Sequence, residues 1–167
     1  ADMGIAGGLN LMVTPISADI EDYVGVSSPD KVTRSFDEKA SGTGGGESCG
    51  MVLLKRLSDA VRDGDHIYAV IKGSAVNNDG DRSNNIMAPS SLAQTEVIVE
   101  ALKRSHLSAR EVEYLEAHGT ATRIGDPIEV EGITNAYRRD TDEKGYCSLS
   151  AAKSNLGHTS YSAGIVS

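Results

Sequence analysis

Short apolar runs and longer runs with helical spacing follow one another along this chain. Runs of apolar residues bounded by turn residues predict strands at 4–12, 49–54, 67–76, 112–117 and 146–152. Helical spacing or helix start signals predict helices at 57–62, from Ser91, at 127–138 and from Thr159. Because helices alternate with strands in the second part of the chain, we predict an α/β fold with a parallel or mixed sheet covered on both faces.

Polar segments between these elements indicate turns. The run at 42–47 is rich in glycine, but it lacks the Lys that ends a phosphate-binding loop, and a strand rather than a helix follows it. We therefore predict a tight turn with positive φ there, and not a nucleotide site. The Asn- and Asp-rich run at 77–81 lacks the twelve-position pattern of a calcium loop and predicts a turn or long loop. A further polar loop is predicted at 17–41, after a first block that ends at Pro15.

The composition limits the classes of protein to which this chain can belong. The 167 residues, of which 39% are hydrophobic, suit one domain or part of one. A net charge of −8 without any Lys/Arg cluster argues against binding to nucleic acid or to an anionic membrane surface. No apolar run approaches the roughly 20 residues that span a bilayer. The two cysteines, Cys49 and Cys147, predict neither a metal site nor a disulfide framework, so we expect a reducing, cytoplasmic location.

Both ends of the sequence fall inside apolar runs. The first residues lead directly into the strand-like run at 4–12, and the last ones come just after an apolar helix has begun at 163–166. We therefore expect part of a larger domain. Such a part exposes a face of sheet and helix that the whole domain buries.

Two segments carry a histidine at matched places. His118 follows the strand-like run at 112–117, and His158 lies shortly after the run at 146–152. Because the carboxyl ends of parallel strands meet at the edge where ligands bind, we expect both imidazoles to face one cleft, with Lys153 on the strand end beside it. A helix N-terminus after His158 would hold its ring neutral. Two neutral N–H donors aimed at one point would stabilise an enolate or an oxyanion.

Simpler interpretations of these residues stay open. One is that each histidine merely ends a strand and satisfies buried carbonyls, although the matched pair near a lysine and glycines favours a site. A second is that the run at 126–129 only starts a helix, with Asp126 as N-cap and Glu129 folding back in a capping box. His66 and His106 are interpreted as solvated residues at a turn and at a helix end, and both cysteines as structural ones.

The two histidine segments, at 116–129 and 153–158, resemble the two histidine motifs of β-ketoacyl synthases, most closely those of ketosynthase domains of modular polyketide synthases. The likeness extends to the runs at 6–10, 34–37, 52–55 and 73–80, and so covers nearly the whole chain. The resemblance implies a thiolase-like fold with αβαβα layers, made of two similar halves and usually homodimeric. Residues 1–167 would then be a partial ketosynthase domain, truncated at both ends, with the end of the first half and most of the second.

The resemblance also implies an activity. Members condense an acyl group, held as a thioester on a cysteine, with a malonyl-type extender on the phosphopantetheine arm of an acyl carrier protein, and carbon dioxide leaves. No cofactor or metal is bound directly, and the partners are the acyl carrier protein and the neighbouring synthase domains. By position in the motifs, the implied catalytic residues are His118, His158, Lys153 and its ionic partner Glu129, and the implied substrate-binding residues are Thr120, Thr122 and Asp126.

The family's nucleophilic cysteine is the main departure. It precedes the run that resembles 6–8, and this sequence begins after that position. Neither Cys49 nor Cys147 replaces it, because a reactive thiolate needs a helix N-terminus or a cationic neighbour, and both lie in strand-like runs. We therefore expect the intact parent to be an acyltransferase and this chain alone to be inactive. Smaller departures are Ser48 and Ala121 in place of glycine, and Ser162 in place of alanine.

Two alternative functions remain. One is a ketosynthase of fatty-acid biosynthesis. The other is a non-catalytic ketosynthase-like partner protein, which would share the fold but lack the nucleophile. The presence of His118, His158 and Lys153 favours an enzyme, because a binding-only relative has no need of two aligned donors and a cation.

Overall fold

A computed structural model of the chain describes residues 1–13, 26–82 and 88–167. Its strands are β1 (Met3–Asn10), β2 (Ser48–Lys55), β3 (Tyr114–Glu116) and β4 (Ser148–Ser150). Its α-helices are α1 (Leu57–Asp63), α2 (Ser91–Ser105), α3 (Gly125–Tyr137), α4 (Lys153–Leu156) and α5 (Ala163–Val166), and 3₁₀ turns lie at Ala109–Glu111 and Ser160–Ser162. The predicted block end at Pro15 and residues 17–25 of the predicted polar loop lie outside the described residues.

The described strands form two small sheets. β1 and β2 pair antiparallel, with Gly8 opposite Gly50, whereas β3 and β4 pair parallel, with Glu116 opposite Ser150. The parallel pairing of β3 and β4 agrees with the prediction of a parallel or mixed sheet, but the described strands form two separate sheets, because β1 and β2 pair only with each other. Parallel pairing brings the carboxyl ends of β3 and β4 to the same edge, and from there the chain continues into the two histidine segments.

Both long helices form close to where the sequence predicts them. α2 begins after Ser90, whose hydroxyl accepts a hydrogen bond from the N–H of Ala93 (3.2 Å), and it ends at His106, which has a positive φ of 57°. His106 is exposed, as expected for a histidine at a helix end. α2 packs against α3, where the Thr95 hydroxyl donates to the carbonyl of Gly132 (3.1 Å). This helix pair supports the loop that carries His118.

Three predicted strands and the predicted place of Lys153 are corrected by the structure. No strand forms at 67–76, because no described strand pairs with this segment, and its Tyr68 and Val76 are 93% and 94% exposed. The strands predicted at 112–117 and 146–152 shrink to three residues each, since only three positions of each strand pair. Lys153 does not end a strand but is the first residue of the short helix α4.

Large apolar side chains are exposed on the β1–β2 sheet. Ile5, Met51 and Leu53 are 66% to 75% exposed, whereas the buried apolar residues of the described chain are alanines. The prediction of an exposed sheet face is therefore confirmed. Both cysteines, which the sequence interprets as structural, are free thiols: Cys49 is exposed in β2 and Cys147 is partly exposed. None of the described helices has the length and apolar character needed to cross a membrane.

Candidate active site

The imidazole rings of His118 and His158 lie side by side at the edge of the second sheet. Their centroids are 5.5 Å apart and their planes are nearly perpendicular, at 88°. His118 comes two residues after β3, and His158 comes two residues after α4, which follows β4. Both rings line one cavity of about 520 Å³. The prediction that the two histidines face one cleft is therefore confirmed.

The backbone of the glycine-rich run forms one wall of this site. His158 forms an isolated parallel bridge to Gly45: its N–H donates to the Gly44 carbonyl (2.7 Å), and its carbonyl accepts from the N–H of Gly46 (3.0 Å). A side chain at Gly46 would place its Cβ 2.1 Å from the carbonyl oxygen of Leu156, and one at Gly44 would come within 1.9 Å of the Lys31 carbonyl. The run thus holds the second histidine segment in place. It starts with the predicted tight turn, since Gly42 has a φ of 126°.

The ring of His158 is held in one tautomer by the turn that follows it. The backbone N–H of Ser160 donates to Nδ1 of His158 (3.0 Å). Because Nδ1 accepts this hydrogen bond, the proton of the neutral ring sits on Nε2. The sequence predicted that a helix N-terminus would favour the neutral ring. A single backbone N–H has this role instead, because only a 3₁₀ turn and the four-residue helix α5 follow His158. In that tautomer the ring presents its Nε2–H as a donor.

Glu129 fixes the backbone that carries His118. Its two carboxylate oxygens accept hydrogen bonds from the N–H groups of His118 (2.6 Å) and Gly119 (2.8 Å). The predicted capping box is wrong, because α3 begins at Gly125 after Ile124, without a side-chain cap. The carboxylate instead reaches back across the loop, where it satisfies N–H groups that no strand or helix pairs.

Asp126 is also tied to backbone N–H groups and is not an N-cap. Its side chain is nearly buried, at 5% exposed, and its oxygens accept hydrogen bonds from the N–H groups of Ala121 (3.0 Å) and Phe36 (2.7 Å). Ala121 and Phe36 both have positive φ values, 59° and 63°, in the left-handed region that non-glycine residues rarely adopt. One carboxylate therefore stabilises two strained turns on either side of the site.

Thr120 and Thr122 line the same cavity from the loop after His118. Their hydroxyl oxygens are 3.2 Å apart, and Oγ1 of Thr122 accepts from the N–H of Gly125 (3.0 Å). The Thr43 hydroxyl donates to the Thr120 carbonyl (2.5 Å), which joins this loop to the glycine-rich run. The pair presents polar hydroxyl groups to anything that enters the cavity.

Lys153 is buried, at 4% exposed, and its charge acts on His118. Burial lowers the pKa of its ammonium group, while the negative charges of Glu129 and Glu116 act in the opposite direction. Burial, with the positive charge of Lys153 next, also lowers the pKa of His118, against the opposing charge of Asp126. Among the residues that the structure describes, Lys153 forms no direct ion pair, so Glu129 acts on it through space rather than as the contact partner that the resemblance implied.

The cavity separates the predicted residues into two groups. His118, His158, Thr120, Thr122 and Glu129 line it, whereas Lys153 and Asp126 lie outside its lining and support it.

Sequence reasoning missed several lining residues from other segments, namely Ser27, Asp79, Pro89, Gln94 and Ser160. Their only sequence signals are turn residues and a helix start, which do not by themselves indicate a site. Asp79 illustrates this, because its carboxylate accepts from the N–H of Ser90 (3.0 Å) at the start of α2.

Two family models match this chain. The model described as "Beta-ketoacyl synthase, N-terminal domain" matches residues 1–60, and the one described as "Beta-ketoacyl synthase, C-terminal domain" matches residues 68–167. The chain therefore belongs to the β-ketoacyl synthase family, which confirms the resemblance of its two histidine segments.

Its relatives place it among the ketosynthases of polyketide synthases. It is 45% identical over 165 residues to polyketide synthase PksM of Bacillus subtilis, and 44% identical over 164 residues to a phenolphthiocerol/phthiocerol polyketide synthase of Mycobacterium tuberculosis. These matches cover 99% and 98% of this chain, but only 4% and 10% of the two relatives. The chain thus spans a small part of the proteins that it resembles.

Solved ketosynthase structures share its fold. The ketosynthase from module 6 of the bacillaene synthase of Bacillus subtilis matches with a TM-score of 0.94 at 41% identity, over 98% of this chain and 30% of that one. An oxazolomycin ketosynthase domain of Streptomyces albus matches with a TM-score of 0.94 at 36% identity, over 99% of this chain and 28% of that one. The thiolase-like α/β fold is therefore confirmed for the part of a ketosynthase domain that this chain spans.

Proposed function

We propose that this chain supplies the decarboxylating side of a polyketide ketosynthase site. In this proposal a malonyl-type thioester lies in the cavity with its thioester carbonyl oxygen between His118 and His158. The bond to the carboxylate carbon breaks, carbon dioxide leaves, and the electron pair forms an enolate whose oxygen accepts hydrogen bonds from both imidazoles. The enolate carbon then attacks an acyl thioester, a carbon–carbon bond forms, and a cysteine thiolate leaves. The product is a β-ketoacyl thioester.

The convergence of the two imidazoles is the observation that carries this proposal. The rings are 5.5 Å apart, and His158 is held as an Nε2–H donor by Ser160. The lowered pKa of His118 keeps its ring neutral near pH 7, so that it too donates an N–H without being a charged acid. The buried charge of Lys153 adds a fixed positive potential behind the rings, which favours a developing negative oxygen.

The group that carries the thioester is proposed to bind along the polar side of the cavity. We propose that Thr120 and Thr122 bind the phosphopantetheine arm of an acyl carrier protein, because their hydroxyl groups line the cavity beside the histidines. Asp126, which the resemblance implied as substrate-binding, is assigned a supporting role instead, since both its oxygens accept backbone N–H groups. The arm acts as substrate carrier, and the proposal includes no directly bound cofactor or metal.

The acylated cysteine is proposed to come from outside this sequence. Neither Cys49 nor Cys147 lines the cavity that holds the two histidines. We therefore expect residues 1–167 alone to have no condensing activity, while the protein that contains them is an acyltransferase. The further partners in this proposal are neighbouring synthase domains and a second copy of the ketosynthase in a homodimer. Both cysteines are unpaired, which agrees with the proposed cytoplasmic location.

The two alternative functions can be distinguished from the proposed one by a single sequence position and by the identity of the relatives. A non-catalytic partner protein would lack the cysteine that precedes the run at 6–8, so the residue there decides between the two classes. The named relatives are polyketide synthases, which favours polyketide over fatty-acid biosynthesis.

Decarboxylation of a malonyl thioester on acyl carrier protein tests the proposed function. In a complete ketosynthase domain that contains this sequence, His158→Ala should slow the release of carbon dioxide about 10²–10³-fold, because one oxyanion donor is lost. His106→Ala, at the exposed end of α2, is the matched control and should change the rate less than about twofold. An equal rate for the His158→Ala variant and the parent would refute the proposal.

A further inference from the structure

Glu116 has no role in the function proposed above, yet its carboxylate joins the two histidine segments. Glu116 is the last residue of β3 and lies opposite Ser150, the last residue of β4. Its Oε1 accepts a hydrogen bond from the N–H of Ala152, and its Oε2 accepts one from the Tyr114 hydroxyl (2.7 Å). Ala152 directly precedes Lys153. One side chain therefore connects the strand that leads to His118 with the turn that starts α4.

Lys153 needs negative charge close to it. Its side chain is almost fully buried, and a buried ammonium group without a compensating charge releases its proton. Among the described residues, three titratable groups interact electrostatically with it: Glu129 on α3, Glu116 on β3, and His118 after β3. The two carboxylates favour the charged ammonium. Glu129 lies on α3 and Glu116 on β3, so Glu116 contributes a second negative charge from a different element.

The carboxylate of Glu116 is held in its ionised form. Burial opposes ionisation, but the hydrogen bonds from Ala152 and Tyr114, together with the charge of Lys153, outweigh it and lower the pKa of this carboxyl group. A backbone N–H and a phenol hydroxyl both donate, so each oxygen has a partner that favours the anion. Glu116 is therefore an anion with a fixed position at the edge of the sheet.

We infer that Glu116 is a positioning residue that fixes Lys153 beside the histidine pair and keeps its ammonium group charged. The inference deepens the proposed function and rests on it only where Lys153 acts in decarboxylation. The position of Lys153 follows from contacts alone: β3 pairs with β4, and Glu116 accepts a hydrogen bond from Ala152, the residue directly before Lys153.

Titration of Lys153 by NMR, in a complete ketosynthase domain that contains this sequence, tests the inference without any substrate. Glu116→Gln keeps a carbonyl oxygen for the N–H of Ala152 but removes the charge. The midpoint of the Lys153 titration should then fall by about one pH unit, since the loss of a negative neighbour favours the neutral amine. Tyr114→Phe, which removes the other bond to the same carboxylate but no charge, is the matched control and should move the midpoint by less than about a third of that. An unchanged midpoint in Glu116→Gln would overturn the inference.

The unmodified chain gives a second readout that does not depend on how the variant folds. The carboxyl carbon of Glu116 should change its chemical shift when Lys153 loses its proton in alkaline solution, because the two charges interact through space. A Glu116 signal that does not respond at the Lys153 midpoint would contradict the inference. Because these titrations need no thioester, their failure is distinct from a failure of the proposed decarboxylation.

Kinetics in a complete ketosynthase domain separate a charge role from a merely structural one. The ratio of the decarboxylation rate of the parent to that of Glu116→Gln should grow as pH rises towards the Lys153 midpoint, because the variant loses its ammonium charge at lower pH. A structural defect would lower the rate by the same factor at every pH. A ratio that stays constant with pH would therefore overturn the inference even if activity falls.

Discussion

Glu129 and His118 are eleven residues apart in sequence, and the carboxylate of the first accepts a hydrogen bond of 2.6 Å from the backbone N–H of the second. The next N–H, that of Gly119, donates to the other carboxylate oxygen (2.8 Å). An anionic acceptor bonded to two consecutive backbone donors is a strong and directional arrangement. It fixes the chain direction after β3 and thus the place of the His118 ring.

Glu129→Gln should destabilise the chain. The amide offers one oxygen and one NH₂ group to two N–H donors, so one donor loses its partner, at a cost of about 1–3 kcal/mol in the free energy of unfolding. Urea denaturation followed by circular dichroism measures this. Glu131→Gln, at an exposed position of the same helix, is the control and should change the free energy by less than about 0.5 kcal/mol. Equal stabilities of the two variants would show that the carboxylate of Glu129 is not needed.

Asp126→Ala should loosen two turns at once. The carboxylate of Asp126 accepts from Ala121 and from Phe36, and the variant removes both acceptor oxygens, so amide hydrogen exchange should speed up at both positions together, about tenfold or more, as expected for losing about 1.4 kcal/mol of local stability. Asp140→Ala is a matched control, because among the described residues the carboxylate of Asp140 accepts from the N–H of Ala109 alone (2.6 Å). It should speed exchange at Ala109 and at neither of the two turns. Faster exchange at only one of the two turns in Asp126→Ala would contradict the shared role of this carboxylate.

Gly46→Ala should displace the wall that holds His158. The added Cβ would lie 2.1 Å from the Leu156 carbonyl oxygen, a backbone atom that cannot rotate away, so the variant should lose about 3 kcal/mol or more in unfolding free energy. Gly4→Ala is the control, since nothing lies within 4 Å of its Cβ position. The two midpoints in thermal unfolding should differ clearly. If both variants unfold alike, the close approach of the glycine-rich run to α4 is not rigid.

His118 gives a pH dependence of known sign. Its pKa is lowered in the folded chain, first by burial and then by the charge of Lys153, below the ordinary value of 6.5. The unfolded chain therefore binds this proton more readily, so the contribution of His118 to stability is present above that ordinary value and is lost as pH falls through the folded pKa. NMR titration of the His118 ring, folded and in urea, measures both midpoints. A folded midpoint above the unfolded one would contradict the assignment.

The sequence predicted the strands and helices that lead to the site, because apolar runs and helix start signals depend on local chemistry. It failed at 67–76, where an apolar run finds no described strand beside it and stays exposed. Asp126 and Glu129, near the start of α3, were open to two interpretations. Acidic residues can form a capping box at a helix start, and they can equally accept hydrogen bonds from N–H groups that are distant in sequence. The actual partners, Phe36 and His118, depend on how two loops meet, and nothing in the local pattern specifies that meeting.

The central claim is that His118 and His158 donate hydrogen bonds to one oxygen of a malonyl-type thioester. A crystal structure of a complete ketosynthase domain containing this sequence, with a malonyl thioester analogue that cannot lose carbon dioxide, tests it directly. We expect the thioester carbonyl oxygen to lie about 2.7–3.1 Å from an imidazole nitrogen of each histidine. A bound analogue whose carbonyl oxygen contacts neither ring, or only one of the two rings, would contradict the account.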